Sequence, residues 1–292
     1  MRLAIPDLIS NSYFAAIAAV ELGCFREQGL DVGLELLFPV TKTMASLRAG
    51  ELDLVAGAAH VVPSAFPGWQ GARLLGALAQ RMYWLLVVRS DLSGARGDLS
   101  VLPGLRIGAA PGPDAGLVKL LAEAGVQGVD VGPIPAASEP GVSFGVTAAR
   151  ALEAGQLDGF WANAMGAEVA VRRGVGRVVL DVRRGEGPAA SLTYTFPALV
   201  SRDDLPDNDQ HAAYRALVRA QELLREDPAR ATAIGEKLFP ATEASLIAEL
   251  IRRDLPYYDP HISRQAFDDL NTFAGVQERL AYEQVVLTDA QV

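Results

Sequence analysis

The chain has 292 residues, half of them hydrophobic, with 35 acidic against 26 basic side chains and a net charge of −9. That acidity excludes a nucleic-acid surface, whose phosphates demand Lys and Arg, and no apolar run nears the ~18 residues of a membrane span, the longest strong one being 82–88. A single cysteine, Cys24, excludes an internal disulfide and a thiolate metal cluster.

An apolar run at 3–6 predicts a first strand. Phe14, Ile17, Ala18 and Leu22 at helical spacing predict a helix over 13–22, opened by the capping-type Ser10, Asn11 and Ser12 and stopped by Gly23. A strand over 32–38, a helix over 41–49 ended by Gly50 and a strand over 52–56 follow. The same order then recurs as strand 105–109, helix 114–124, strand 129–134, helix 143–154 and strand 157–161. Two β-rich stretches, 83–89 and 191–201, lie after the first and second copies and are the candidate crossing strands, carrying Tyr83 and Tyr194. Helical patterns over 213–224, 228–238, 242–254 and 263–274 complete the chain, punctuated by Pro228 and Pro240.

The recurrence is visible in the letters. Leu47-Arg48-Ala49-Gly50-Glu51-Leu52-Asp53 returns as Leu152-Glu153-Ala154-Gly155-Gln156-Leu157-Asp158, Gly29 to Gly33 is echoed by Gly128 to Gly132, and Leu3-Ala4-Ile5 by Leu105-Arg106-Ile107. Two long units of this kind are a duplicated α/β lobe, not an array of short repeats. Alternating strands and helices imply βαβ units, a mainly parallel sheet in each lobe, flanking helices and right-handed crossovers.

In open α/β sheets a ligand lies beyond the carboxyl ends of the strands, where loops enter helix N-termini. That rule selects loops 8–13, 39–43, 57–61, 110–114, 135–144 and 161–165, which two facing lobes would turn into one cleft. The ligand-binding candidates are Ser10, Asn11, Ser12, His60 and Asn163 as hydrogen-bonding groups, Tyr13, Phe144 and Trp161 as flat apolar faces, and Lys42 as a cation. Ala58, Gly112 and Asp114 come from the same loops, and Tyr83 and Tyr194 from the crossing strands. The mixture suits a small, partly aromatic or apolar molecule with a polar or anionic handle.

Each candidate also has a plain structural role. Trp161, Tyr13, Tyr83 and Tyr194 are core or hinge packing, Asn163 is a helix cap, Lys42 is a solvated helix start, and His60 is a helix-start residue bonded to backbone. Chemistry on His60 as an acid or base, or on Lys42 as a Schiff base, is the remaining alternative. Gly141-Val142-Ser143-Phe144-Gly145 matches the nucleophile-elbow pattern, but Ser138-Glu139-Pro140 separates it from its strand and an N-cap explains Ser143. The glycines of 108–116 lack the spacing of a dinucleotide loop, and a tight turn suffices. Three scattered histidines offer no metal-ligand pair at helical spacing.

The run Asn11-Ser12-Tyr13-Phe14, then Glu21-Leu22-Gly23-Cys24-Phe25-Arg26-Glu27-Gln28-Gly29-Leu30-Asp31-Val32, followed by 47–56, resembles the opening of the substrate-binding proteins of ABC importers. The group it resembles most binds nitrate, sulfonates, taurine or thiamine-pyrimidine precursors, and the likeness spans nearly the whole chain, weakening after Ser201. The resemblance implies a two-lobed periplasmic-binding-protein fold of the second topological type, with lobes 1–88 plus 196–292 and 89–195 and the crossing strands as hinge. It further implies a monomer that captures a small solute by hinge closure, without cofactor, metal or catalytic residue, and delivers it to a membrane permease; the cleft candidates include no arginine pair, so the expected solute is an aromatic or heterocyclic molecule, neutral or singly anionic. A cytoplasmic enzyme on the same fold, acting on a heterocyclic or aromatic carboxylate, is the alternative. Met1-Arg2 runs directly into the first strand, so the expectation is a periplasmic protein if an export leader has been removed and a cytoplasmic one otherwise.

Overall fold

The computed structural model describes residues 1–135 and 143–288. Among them the strands are β1 (Arg2–Ile5), β2 (Gly33–Leu36), β3 (Leu54–Ala58), β4 (Ala72–Ala77), β5 (Leu85–Arg89), β6 (Arg106–Ala109), β7 (Asp130–Pro133), β8 (Gly159–Ala162), β9 (Gly176–Asp181) and β10 (Pro197–Arg202). They form two five-stranded sheets of one plan, ordered β2-β1-β3-β10-β4 and β7-β6-β8-β5-β9. In the first, β1 runs parallel to β2 and β3 while β10 lies antiparallel between β3 and β4. In the second, β6 runs parallel to β7 and β8 while β5 lies antiparallel between β8 and β9. Each sheet is therefore mixed, with four strands running one way and one inserted against them.

The chain divides into two compact units, Met1–Asp7 with Ser12–Arg81 and Thr193–Val292, and Leu8–Asn11 with Met82–Leu192. The sequence reading placed the division at 88/89 and 195/196. The difference at the first crossing arises because β5, Leu85–Arg89, pairs with β8 and β9 in the second sheet, and residues 82–84 leading into it fall in the second unit with it. At the second crossing the expected extended stretch 191–201 starts as a 3-10 turn, Ala189–Thr193, and becomes strand at Pro197.

The first unit carries α1 (Phe14–Glu21), α2 (Cys24–Glu27), α3 (Val40–Arg48) and α4 (Val62–Ala65), the second α5 (Pro113–Glu123), α6 (Phe144–Glu153) and α7 (Ala164–Arg172). The first is completed by α8 (Asp207–Glu226), α9 (Arg230–Leu238), α10 (Ala241–Asp254), α11 (Arg264–Ala274) and α12 (Tyr282–Val285). α1 is apolar around its whole circumference and buries Phe14 to Ala19, so it lies inside its unit, packed on α8. The central strands are continuous apolar runs, Leu3-Ala4-Ile5 and Leu54-Val55-Ala56 all being fully buried, as a sheet covered on both faces requires.

The doubled motif has one job in both units. α3 and α6 each end in a Schellman turn: Gly50 at φ 75° and Gly155 at φ 68° take the left-handed position that favours glycine. The next N–H reaches back to close it, Glu51 to the Ser46 carbonyl at 3.0 Å and Gln156 to that of Ala151 at 2.9 Å. The aspartate that follows receives the first N–H of the neighbouring strand, Asp53 from Arg2 at 2.7 Å and Asp158 from Arg106 at 3.0 Å. Arg2 therefore corresponds to Arg106 and Leu3 to Ile107, two residues from the alignment of Leu3 with Leu105. Letter matching cannot see that slip, because a shift of two residues leaves every side chain of a strand on the same face.

Candidate functional site

Since four strands of each sheet run one way, their carboxyl ends share one edge, and the inserted antiparallel strand delivers its leading residues to that edge too. In the first unit this gathers the residues before α1, the turn after β3 and the segment 193–196. Ser12 and Tyr13 are 3% and 2% exposed, and the Tyr13 carbonyl accepts the N–H groups of Ala16 and Ile17 at 3.0 and 3.2 Å. Lys42 stands exposed in the first turn of α3. Ala58 is buried at the end of β3, opposite Pro197.

His60 follows in a 3-10 turn, Ala59–Val61. Its Nδ1 lies 3.1 Å from the Thr195 hydroxyl oxygen, which also accepts the His60 backbone N–H at 3.3 Å. Tyr194 stacks parallel on Phe273, centroids 4.6 Å apart at 8°, and the His60 ring meets the same phenyl edge-on at 5.1 Å and 62°. Phe273 belongs to α11, and the sequence reading did not single it out. Its helical register is legible, but a contact with residues almost eighty and more than two hundred positions away leaves no local signal.

The second unit treats its corresponding edge differently. The Asn163 side chain caps α7, its Oδ1 accepting the Gly166 N–H at 3.2 Å, while its Nδ2 donates to the Ser10 hydroxyl at 3.2 Å. Asn11 Oδ1 accepts the next free amide of the helix, that of Met165, at 3.2 Å. Ser10, Asn11 and Asn163 are all at most 2% exposed, so this network is internal. Ser143 caps α6 through the N–H groups of Gly145 and Val146 at 3.2 and 3.5 Å, which accounts for the serine of the elbow-like pattern; Gly141 and Val142 lie outside the described residues. α6 and α7 touch backbone to backbone: a Cβ on Gly166 would lie 2.5 Å from the Gly145 carbonyl oxygen.

Trp161 is wholly buried and its indole N–H donates to the Pro113 carbonyl at 3.0 Å; its ring lies 6.0 Å from that of Trp84, which lies 4.7 Å from that of Tyr83. The guanidinium of Arg183, in the turn after β9 and 4% exposed, stands over the Tyr83 ring at 5.7 Å; this residue too was missed. Asp114 Oδ1 closes its own turn by accepting the N–H groups of Gly112 and Ala115, both at 2.9 Å, with Gly112 at φ 99°. Phe144 opens α6 partly exposed.

Two electrostatic couples lie at the opposite, amino-terminal edges. Hydrogen bonding from Arg106 holds the Asp158 carboxyl below the usual carboxylate range, and Arg2 does the same for Glu35. Burial pushes the Cys24 thiol up to about 11, so it is inert at neutral pH. A cavity of about 320 Å³ lined by Val20, Glu21, Phe25, Arg26, Asp31, Val32 and Lys237 also belongs to that edge, beside the start of β2 and the end of α1. Among the described residues no group of His, Cys, Asp or Glu is arranged to hold a metal ion, and no helix is long and apolar enough to cross a membrane.

No protein-family model matches the chain, and no curated protein does. Solved structures do. A protein from Bordetella bronchiseptica RB50 matches with TM-score 0.75 at 20% identity, covering 99% of this chain and 95% of its own. The alkanesulfonate-binding protein SsuA from Xanthomonas axonopodis pv. citri, bound to MOPS, matches with TM-score 0.69 at 17% identity over 98% of each chain. The periplasmic nitrate-binding protein NrtA from Synechocystis PCC 6803 matches with TM-score 0.63 at 15% identity, covering 83% of this chain and 68% of its own. Two α/β units, each a mixed five-stranded sheet flanked by helices, are thus a fold this chain shares with periplasmic binding proteins.

Proposed function

We propose that the chain is the solute-binding protein of an ABC importer, which captures a small molecule with residues at the carboxyl ends of its strands and hands it to a membrane permease. The observation that carries this reading is the doubled sheet plan shared with sulfonate- and nitrate-binding proteins. Beside the strand ends are side chains suited to solute contact: Tyr13, His60, Tyr194 and Phe273 on one unit, Tyr83 and Phe144 on the other. Work in the periplasm as a monomer, without cofactor or turnover, belongs to the same reading.

A panel of sulfonates, carboxylates and nitrate, with native mass spectrometry of the purified protein for a carried solute, tests it. A bound solute at a hundred times its Kd adds about 2.7 kcal/mol of stability, enough to raise Tm by roughly 5 °C. His60→Ala then weakens binding about tenfold, the size of one lost hydrogen bond. A Tm unmoved by every compound, together with a protein that carries no solute, would overturn the reading; turnover lost in His60→Ala at unchanged affinity would favour an enzyme.

A further inference from the structure

We propose that Phe273 is a specificity-determining residue of the first unit's strand-end site and that it selects solutes with a flat, conjugated ring. The proposal rests on the solute-binding reading above and names the class of molecule. Phe273 is partly exposed, whereas the two rings it touches, Tyr194 and His60, are 3% and 9% exposed. It is therefore the accessible member of a three-ring cluster, with Tyr194 parallel at 4.6 Å and the imidazole edge-on at 5.1 Å.

The geometry is set in advance. The imidazole is held by Thr195, at 3.1 Å from Nδ1. α11 is fixed independently of Phe273: Ser263 caps it through the Ala266 N–H at 3.1 Å, Trp69 donates its indole N–H to Asn271 Oδ1 at 2.7 Å, and Phe267, 1% exposed, packs on Trp69 at 5.4 Å. Gly275 at φ 69° ends the helix, with the Val276 N–H returning to the Asn271 carbonyl at 3.0 Å. A ring presented this way pays no ordering cost when a solute arrives. A saturated ring meets it with dispersion alone, while a planar π-system adds stacked or edge-on electrostatics worth roughly a two- to tenfold gain in affinity.

The experiment compares matched probes on the purified full chain: benzoate with cyclohexanecarboxylate, benzenesulfonate with cyclohexanesulfonate, nicotinate with its saturated analogue, and taurine as an open-chain control. Thermal shift finds binders and calorimetry gives Kd. The expected result is an aromatic member that binds two- to tenfold more tightly than its saturated partner, a preference lost in Phe273→Ala and kept in Phe273→Tyr. Unchanged Trp fluorescence in Phe273→Ala, read at Trp69 against α11, separates a lost wall from a lost helix. Equal affinity for saturated and aromatic partners, or a preference that survives Phe273→Ala, overturns the proposal. Binding of taurine alone overturns the ring assignment and leaves the solute-binding reading intact; no binding by any probe overturns the ring assignment, and the solute-binding reading falls with it only if the purified protein also carries no solute.

Discussion

In the first unit Asp53 accepts the N–H of Arg2, and in the second Asp158 accepts that of Arg106; both stand one turn after a left-handed glycine that ends a helix. At the other edge the copies part. Asn163 caps α7, and its counterpart in the first copy is Ala58; Met165 donates its amide to Asn11, and its counterpart is His60. The shared edge is what any copy of this βαβ unit needs in order to fold, so it kept its letters. The divergent edge carries no such demand in common, and there the second unit has a capped polar network and the first an aromatic cluster.

The sharpest test of that contrast is Gly166→Val, because its Cβ would fall 2.5 Å from a backbone oxygen that cannot rotate away. We expect a loss of about 3 kcal/mol or more, measured by urea denaturation; a loss below 1 kcal/mol would mean that the α6 and α7 approach is not fixed. Next come the paired aspartates. Asp158 receives three donors from Arg106 and a fourth from Arg89, while Asp53 receives the Arg2 amide, so Asp158→Ala should cost about 2 kcal/mol and Asp53→Ala about 1. The Asp158 contribution has a pH signature. Its carboxyl is held low in the folded state, so the stabilisation is complete above the unfolded value near ~4 and disappears as pH falls through the lower folded value. Asp158→Ala should flatten that acid limb in a Tm-against-pH series.

Equal to Asp53→Ala in size is Asn163→Ala, which removes a cap from α7 that Ala58 never supplied in the first copy; about 1 kcal/mol is expected, with Asn163→Asp retaining most of it. Cys24→Ser should leave binding unchanged. The native thiol, fully buried and with its pKa near 11, should resist alkylation at pH 8 and react only on unfolding.

The sequence made the doubled order of strand and helix readable because the motif around Gly50 and Gly155 carries its own conformational logic. β4, α7 and β9 escaped it: Ala72–Ala77 and Gly176–Asp181 lack a clean alternation, and α7 is built of small residues whose periodicity is faint. The direction of each strand made the candidate loops legible as a set. What each side chain does there was less so: Trp161 and Asn163 were readable as either ligand contacts or structural groups, and the structure gives both of them internal hydrogen bonds. Phe273 and Arg183 reach the strand ends through tertiary packing, which composition and spacing do not encode.

The insertion of β10 between β3 and β4 has a bearing on biosynthesis. Among the described strands β4 pairs with β10 alone, so residues 72–77 leave the ribosome more than a hundred residues before the strand that will hold them. The second unit, apart from Leu8–Asn11, is one continuous stretch and has all its described strands as soon as Asp181 emerges. Nascent chains should therefore acquire protease resistance from the middle outward, with the amino-terminal third the last to be secured.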